Sequence, residues 1–279
     1  NMYFGLSEDQ VFFQDNFKKF LEDQAPLDVI RKIVEGNDFS TKDELYQGLI
    51  NLGINNLLIP EKNGGLGLDL LFAVAISQSL GAGVATLPFI GPYVMAPIAI
   101  KHAANEMQKN TLFEGMVNNS INFSIGFSEY FGSRDSSGLT FSQNKVSGKT
   151  LFVLDGDYAS HVMLCNKDGQ IGVVSLDSVG VETINLTTVD KTRIYQEMNF
   201  DNTPIEILEN SLTSSNAIEL SIDAGRIVAA ADSIGASQYM IDKAIEYSKE
   251  RKQFNRVIGS FQAVKHMCAE MAADLEPCY

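Results

Sequence analysis

The feature that most constrains this chain is a single uninterrupted helical pattern near its C-terminal end. Helix signal begins at about Ser214, and Ile227, Ala231, Ile234, Ile241, Ala244 and Ile245 mark one face. From Asn216 to Glu250 such a helix is about 50 Å long at 1.5 Å per residue. Residues 255–260 break the pattern, and Phe261, Val264, Cys268, Met271 and Leu275 then recur at three- and four-residue steps. Two long antiparallel helices need other elements to cover their apolar faces. The sequence stops at Tyr279, inside or just after the second helix. That reads as a chain cut short, or as one whose remainder lies outside these residues.

Upstream the texture is helical, then β, so the expected class is a multidomain α+β chain. Residues 1–120 form an N-terminal helical domain, 121–212 a middle β-barrel-like domain and 213–279 the first part of a C-terminal helical bundle. Ser7 with Gln10 and Thr41 with Glu44 fit the capping box of a helix start. After Ser7, Val11, Phe13, Phe17, Phe20 and Leu21 fall at roughly helical spacing. LLFAVAISQSLGAG reads as a helix of small residues, and LPFIGPYVMAPIAIKHAA as a largely helical stretch punctuated by proline. From Ile121 to Leu208 come short β-rich runs: INFSIGFS, LTFS, KTLFVL, HVMLC, IGVVSL and VETINL. Turn signals at Gln143-Asn144, Asp155-Gly156-Asp157 and Lys167-Asp168-Gly169 separate them, predicting a compact barrel or a pair of sheets.

Composition narrows the function classes. A net charge of −14 disfavours nucleic acid and anionic membrane as partners. No apolar run is long enough to span a bilayer, and NMYFGLSEDQ lacks the basic-then-apolar order of a secretory signal. Cys165, Cys268 and Cys278 are odd in number and scattered, which fits a reducing compartment. His102, His161 and His266 have no cysteine or carboxylate at ligand spacing, so no metal site is expected. GGLGLD at 64–69 is not a phosphate loop, because no Lys-Ser/Thr follows it. It is expected to shape a tight turn beside a ligand channel.

Against this acidic background, RKQFNRVIGSFQAVKH at 251–266 packs cationic, aromatic and amide side chains between the two last helices. The segment RKQFNRVIGSFQAVKHMCAEMA resembles the acyl-CoA dehydrogenase family of flavoproteins, which commonly reads RxQFGxPIxxFQ there. IPEKNGGLGLD at 59–69 resembles the family's PEeyGGlGl loop, FSEYFGSRD at 127–135 its vTEPgaGSD strand, and GKTLFVLDG at 148–156 its GxKxWITNG strand. The resemblance covers nearly the whole chain. The family's C-terminal helical pair has no counterpart in these residues.

The resemblance implies FAD as cofactor and an acyl-CoA thioester as substrate. A carboxylate would remove the α-proton while the β-hydrogen leaves as hydride to the flavin, with an electron-transfer flavoprotein as electron acceptor. It also implies an oligomer with FAD shared between neighbouring subunits, in the cytoplasm or in a mitochondrial matrix. Arg251 would hold the diphosphate, Phe254 would lie against a ring of the cofactor, and Gln262 would offer its amide. The alternative for this segment is a solvated turn in which Phe254 and Phe261 plug the core. Phe127 and Ser128 would meet the flavin edge, with serine standing where threonine is usual. Phe152, Val153 and Leu154 replace Trp-Ile-Thr, and Leu154 offers the flavin no hydroxyl. Tyr130 replaces a proline, Arg134 a serine that contacts ligand, and Asn255 a glycine. In SIDAGR at 221–226, Asp223 and Arg226 match residues that meet CoA. The alternative for them is a surface salt bridge.

The general base is the open point. The family places a glutamate either in the C-terminal helical pair, beyond Tyr279, or on the long helix where this chain has Gly225. Asp232, seven residues on, is a weak candidate, since an acidic residue there more often bonds a neighbouring helix. Two functions stay open: an FAD-dependent acyl-CoA dehydrogenase, and a non-catalytic partner subunit of a hetero-oligomeric one that completes its neighbour's FAD site.

Overall fold

The computed structural model describes residues 5–36, 39–132, 134, 136–156, 158–213 and 216–279. Ser214, where helix was expected to resume, Asp157 of the expected Asp155–Asp157 turn, and Ser133 and Asp135 of FSEYFGSRD lie outside the described residues. So do the first four residues of NMYFGLSEDQ.

Six helices precede the sheet: α1 Glu8–Gln24, α2 Leu27–Val34, α3 Phe39–Asn51, α4 Leu70–Ala82, α5 Ala96–Ala103 and α6 Glu106–Val117. The Ser7–Gln10 capping box forms in both directions, at 3.2 and 2.9 Å. The second expected box fails, because α3 already includes Phe39 and Thr41 sits inside its first turn. An unforeseen box forms instead at Asn105 and Gln108, opening α6. The glycine-rich segment makes the expected tight turn, with Leu66 and Gly67 N–H groups donating to Asn56 and Ile59 carbonyls at 2.9 and 2.8 Å. Residues Ile90–Met95, the proline-punctuated stretch, wind as a buried π-helical turn feeding α5.

The β region is a single mixed sheet: β1 Phe123–Gly126, β2 Gly138–Ser142, β3 Lys145–Leu154, β4 His161–Cys165, β5 Ile171–Ser175, β6 Val181–Asn185, β7 Tyr195–Pro204 and β8 Glu206–Ile207. The order is β6-β7-β3-β1-β4-β5-β8, with β2 paired on β3. Its path ends at β6 and β8, so the sheet is open and the expected barrel does not close. β7 escaped the sequence reading although it equals β3 in length. Its inward residues Gln196, Met198 and Phe200 alternate correctly, but Glu197, Asn199, Asp201 and Asn202 crowd the outward side. The strand expected across 125–135 stops at Gly126, and Ser128–Phe131 coil into a 3₁₀ turn around the buried Glu129. Alternation sorts β4 cleanly: Val162 and Leu164 pack on one face of the sheet, Met163 and Cys165 on the face covered by helices.

The long helix is α7, Ala217–Glu250, followed by a hairpin of β9 Lys252–Gln253 and β10 Arg256–Val257, then α8 Gln262–Leu275. Its buried stripe differs from the expected one. Ile227 faces solvent, and burial runs through Ala217, Ile218, Ser221, Ile222, Ala224, Gly225, Val228, Ala231 and Gly235. The cause is backbone-to-backbone approach with α4, which only small residues permit. A Cβ on Gly235 would lie 1.9 Å from the Gln78 carbonyl oxygen, and one on Gly81 1.9 Å from that of Asp232. Ser77 Oγ donates to Val228 O at 2.9 Å and Ser221 Oγ to Met95 O at 2.8 Å, fixing the rotation of α7. Beyond Ile241 the helix leaves this support, and α8 buries none of its residues.

Gly235→Ala is therefore expected to destabilise the chain by about 1–3 kcal/mol, since a helix backbone must move to admit the methyl group. Denaturant unfolding of variant and parent measures this; equal midpoints would contradict the close approach.

Candidate functional site

A cavity of about 430 Å³ opens where the π-helical turn, the sheet and α7 meet. The turn supplies Ile90 and Met95; the sheet supplies Ile125, Leu154 and Tyr195; α7 supplies Ile222, Gly225, Arg226 and Ala229. Apolar side chains dominate the wall of this open cleft, so a ligand that fills it would displace water and strengthen the polar contacts it makes there. No carboxylate lines the cavity among the described residues.

Phe127, Ser128, Phe152, Leu154, Gly225 and Arg226, singled out from three separate stretches of the sequence, all line it. Phe152 and Leu154 reach it because β3 carries a bulge against β7 between Thr150 and Val153. At that bulge Phe152 takes φ +55° and stays 48% exposed. A left-handed aromatic residue costs roughly 1–3 kcal/mol, and such strain gathers at functional sites. Val153, also expected to meet the cofactor, is on the opposite face, fully buried beside Val162, Leu164 and Met198. Period-two alternation removes its side chain from the site.

The polar groups are arranged with economy. Ser128 Oγ has Leu151 O at 2.6 Å and Glu129 Oε1 at 3.2 Å as acceptors, so its one proton is committed within the chain and only its lone pairs are left for a ligand. Arg134 lines a smaller neighbouring cavity of about 150 Å³ with Glu129 and Ser137, not the large one. Arg226 bonds Asp223 at 2.9 Å and lies 5.4 Å from the Phe131 ring centre, so the surface ion pair weighed as the alternative does form. Arg226 nevertheless borders the cavity mouth, where an exposed guanidinium is open to an anionic group.

Asp232 does not line the cavity. It accepts from Arg193 Nη2 at 3.1 Å, while Arg193 Nη1 donates to Leu87 O. Burial raises the Asp232 carboxyl above the usual carboxylate range and Arg193 pulls it back. A carboxylate held in an ion pair outside the cavity is a poor proton acceptor for a ligand inside it. Arg193 and Tyr195 are the polar lining residues that sequence reading missed, beside apolar ones such as Met95 and Ile222. Nothing marks Arg193 within LTTVDKTRIYQ, and Tyr195 opens the overlooked β7. The glycine-rich turn at 59–69 was expected beside the ligand channel; none of its residues lines this cavity.

The cationic elbow is at the far end of α7. Gln253 to Arg256 form a two-residue hairpin turn in which Phe254 and Asn255 have φ +49° and +60°. Both central residues of such a turn need positive φ, which glycine and asparagine tolerate, so Asn255 preserves the turn. Phe254 is 87% exposed, edge-on to Phe261 at 6.1 Å, so it does not plug a core within this chain. Arg251 bonds the Tyr247 hydroxyl and lies over its ring, Arg256 stacks 3.9 Å from the Phe261 ring centre, and Gln262 contacts His266 at 3.0 Å. From Gly225 to Arg251 there are 26 helical steps, about 39 Å.

Comparison with known proteins fixes the relationship. Residues 7–120 match the N-terminal domain and residues 215–278 the C-terminal domain of acyl-CoA dehydrogenases. The chain belongs to the acyl-CoA dehydrogenase family. Members of this family are oxidoreductases acting on CH–CH bonds and are FAD-dependent flavoproteins. A probable acyl-CoA dehydrogenase of Bacillus subtilis, YngJ, is 25% identical, the match covering 99% of this chain and 77% of that protein. CarC, a subunit of the caffeyl-CoA reductase-Etf complex of Acetobacterium woodii, is also 25% identical with the same coverage. The ChsE4–ChsE5 complex of Mycobacterium tuberculosis shares the fold at TM-score 0.82 and 19% identity, over 99% of this chain and 76% of that one. Within the family frame, no described helix is long and apolar enough to cross a membrane, and no described group of three His, Cys, Asp or Glu side chains could hold a metal.

Gly225 stands where the resemblance would place an acidic side chain. A Cβ there would meet Met95 Sδ at 2.8 Å and Cγ at 2.9 Å, the movable end of a flexible side chain. Gly225→Ala should therefore cost less stability than Gly235→Ala. A double-mutant cycle with Met95→Ala should show coupling of about 0.5–3 kcal/mol by denaturant unfolding. Strict additivity would mean that Met95 does not fill the space beside Gly225.

Proposed function

We propose that this chain is a subunit of an FAD-dependent acyl-CoA dehydrogenase that oxidises the α–β bond of a CoA thioester. The observation that carries the reading is the apolar cavity joining Phe127, Ser128, Phe152, Leu154, Gly225 and Arg226 from the sheet and α7. Phe127 and Phe152 offer ring faces to the flavin and an acyl chain would share the dry wall beside them. Arg226 and Asp223 would meet the CoA portion at the mouth. FAD, when bound, supplies a hydride acceptor. The donor set of the elbow also fits this cofactor: Arg251 is a fork suited to a diphosphate, Phe254 an exposed ring, and Gln262 an amide.

Elbow and cavity of one chain are too far apart to grip the same FAD, because about 39 Å of helix separates them. The elbow therefore serves the cavity of a neighbouring subunit, identical or related. The α-proton needs a carboxylate from outside the described cavity wall. An electron-transfer flavoprotein as electron acceptor fits the likeness to CarC, whose complex contains Etf. We assign residues 1–120, 121–212 and 213–279 to the N-terminal, middle and C-terminal domains, in a compartment that keeps Cys165, Cys268 and Cys278 as thiols.

Three observations favour the second reading, a partner subunit that completes its neighbour's site. Leu154 cannot donate to a flavin, the Ser128 proton is committed within the chain, and no described carboxylate lines the cavity. The likeness to the ChsE4–ChsE5 complex is consistent with pairing between related chains.

The visible spectrum of the purified assembly separates the two. A flavin band near one per chain, bleached by an acyl-CoA, is expected for the dehydrogenase; a colourless chain that gains flavin only with a related partner is expected for the second reading. In either assembly Arg251→Ala should lower FAD retention by about tenfold, as loss of a charge-assisted pair implies. Full retention would remove the elbow from the cofactor site.

A further inference from the structure

The cavity wall holds two polar side chains with no role in the reading above. Arg193, at 15% side-chain exposure, is fixed by Asp232 and Leu87 O. A guanidinium carries five N–H donors, and these two bonds leave three. Tyr195 lines the same cavity, two residues on, and its hydroxyl has no hydrogen-bond partner among the described residues. Burial raises the Tyr195 phenol above its ordinary value, which keeps it a neutral donor at physiological pH. Asp232, the anchor of Arg193, is six residues beyond Arg226 on α7, about 9 Å along the helix.

We propose that Arg193 and Tyr195 form an acceptor-binding anchor that selects acyl groups carrying an uncharged carbonyl or hydroxyl oxygen remote from the thioester. The inference rests on the acyl-CoA reading of this cavity. A purely alkyl chain would leave the Tyr195 hydroxyl buried without a partner, which costs affinity. A carboxylate is disfavoured by the surrounding charge. Asp232 already pairs with Arg193, whose positive charge is the largest electrostatic influence at Tyr195, and Asp155 and Asp190 oppose it there with negative charge. A neutral oxygen accepts both donors without adding a fourth negative charge.

The test is calorimetric titration of the assembled protein with three acyl-CoA thioesters of matched length, ending in alkyl, oxo and carboxylate groups. The oxo thioester should bind about tenfold tighter than either of the others. Tyr195→Phe, which keeps the ring and its packing, should cut that ratio several-fold. Arg193→Met with Asp232→Leu, which removes the pair together, should abolish the remainder. Flavin content is read in the same samples. Equal binding of oxo and alkyl thioesters overturns the anchor. So does a Tyr195→Phe variant that loses flavin while keeping the preference, which would assign the hydroxyl to the cofactor instead. If none of the three thioesters binds, the acyl-CoA reading itself fails.

Discussion

The contact between α4 and α7 governs the geometry of everything else. Two glycines let the helices meet backbone to backbone, Gly81 against Asp232 and Gly235 against Gln78. Serine hydroxyls then lock α7 in rotation against α4 and the π-helical turn. With one half of α7 clamped, its straight length decides where both functional regions can be. Ile222, Gly225 and Ala229 face the cavity under the sheet, and Arg251 is carried far out beyond the clamped half.

Each region carries a strained or exposed aromatic residue. In the cavity it is Phe152, held at positive φ by a bulge so that an aromatic ring reaches the wall. On the elbow it is Phe254, also at positive φ and almost wholly exposed, flanked by guanidinium groups stacked on Tyr247 and Phe261. An exposed ring beside preset cations is costly on an isolated chain. It would become favourable against the flat, anionic dinucleotide proposed as its ligand.

Much of this was legible in the sequence because it depends on local chemistry. The Ser7–Gln10 cap, the Gln143-Asn144 turn and the helix–sheet–helix order follow from short-range patterns. The family motifs led to six residues of the cavity wall. What escaped depended on tertiary context. β7 is polar on its outward side, so its alternation is masked, and Arg193 and Tyr195 were lost with it. Val153 was grouped with Phe152 and Leu154 by motif, though alternation turns it to the other face. The buried stripe of α7 mixes Ile218, Ile222 and Val228 with small residues such as Gly225, Ala231 and Gly235 that permit the helix approach, so Ile227 misled the helical reading. The barrel expectation failed because strand content does not reveal whether the edges β6 and β8 meet.

The central claim is that a single FAD is gripped by the elbow of one chain and the cavity of another. The most direct measurement is a structure of the FAD-loaded assembly, read for the chain of origin on each side of the cofactor. The account predicts the Arg251 guanidinium within hydrogen-bonding distance of the diphosphate, about 3 Å, of an FAD whose ring is seated in a neighbouring subunit's cavity. An Arg251 facing solvent, or a cofactor held by a single chain alone, would contradict it.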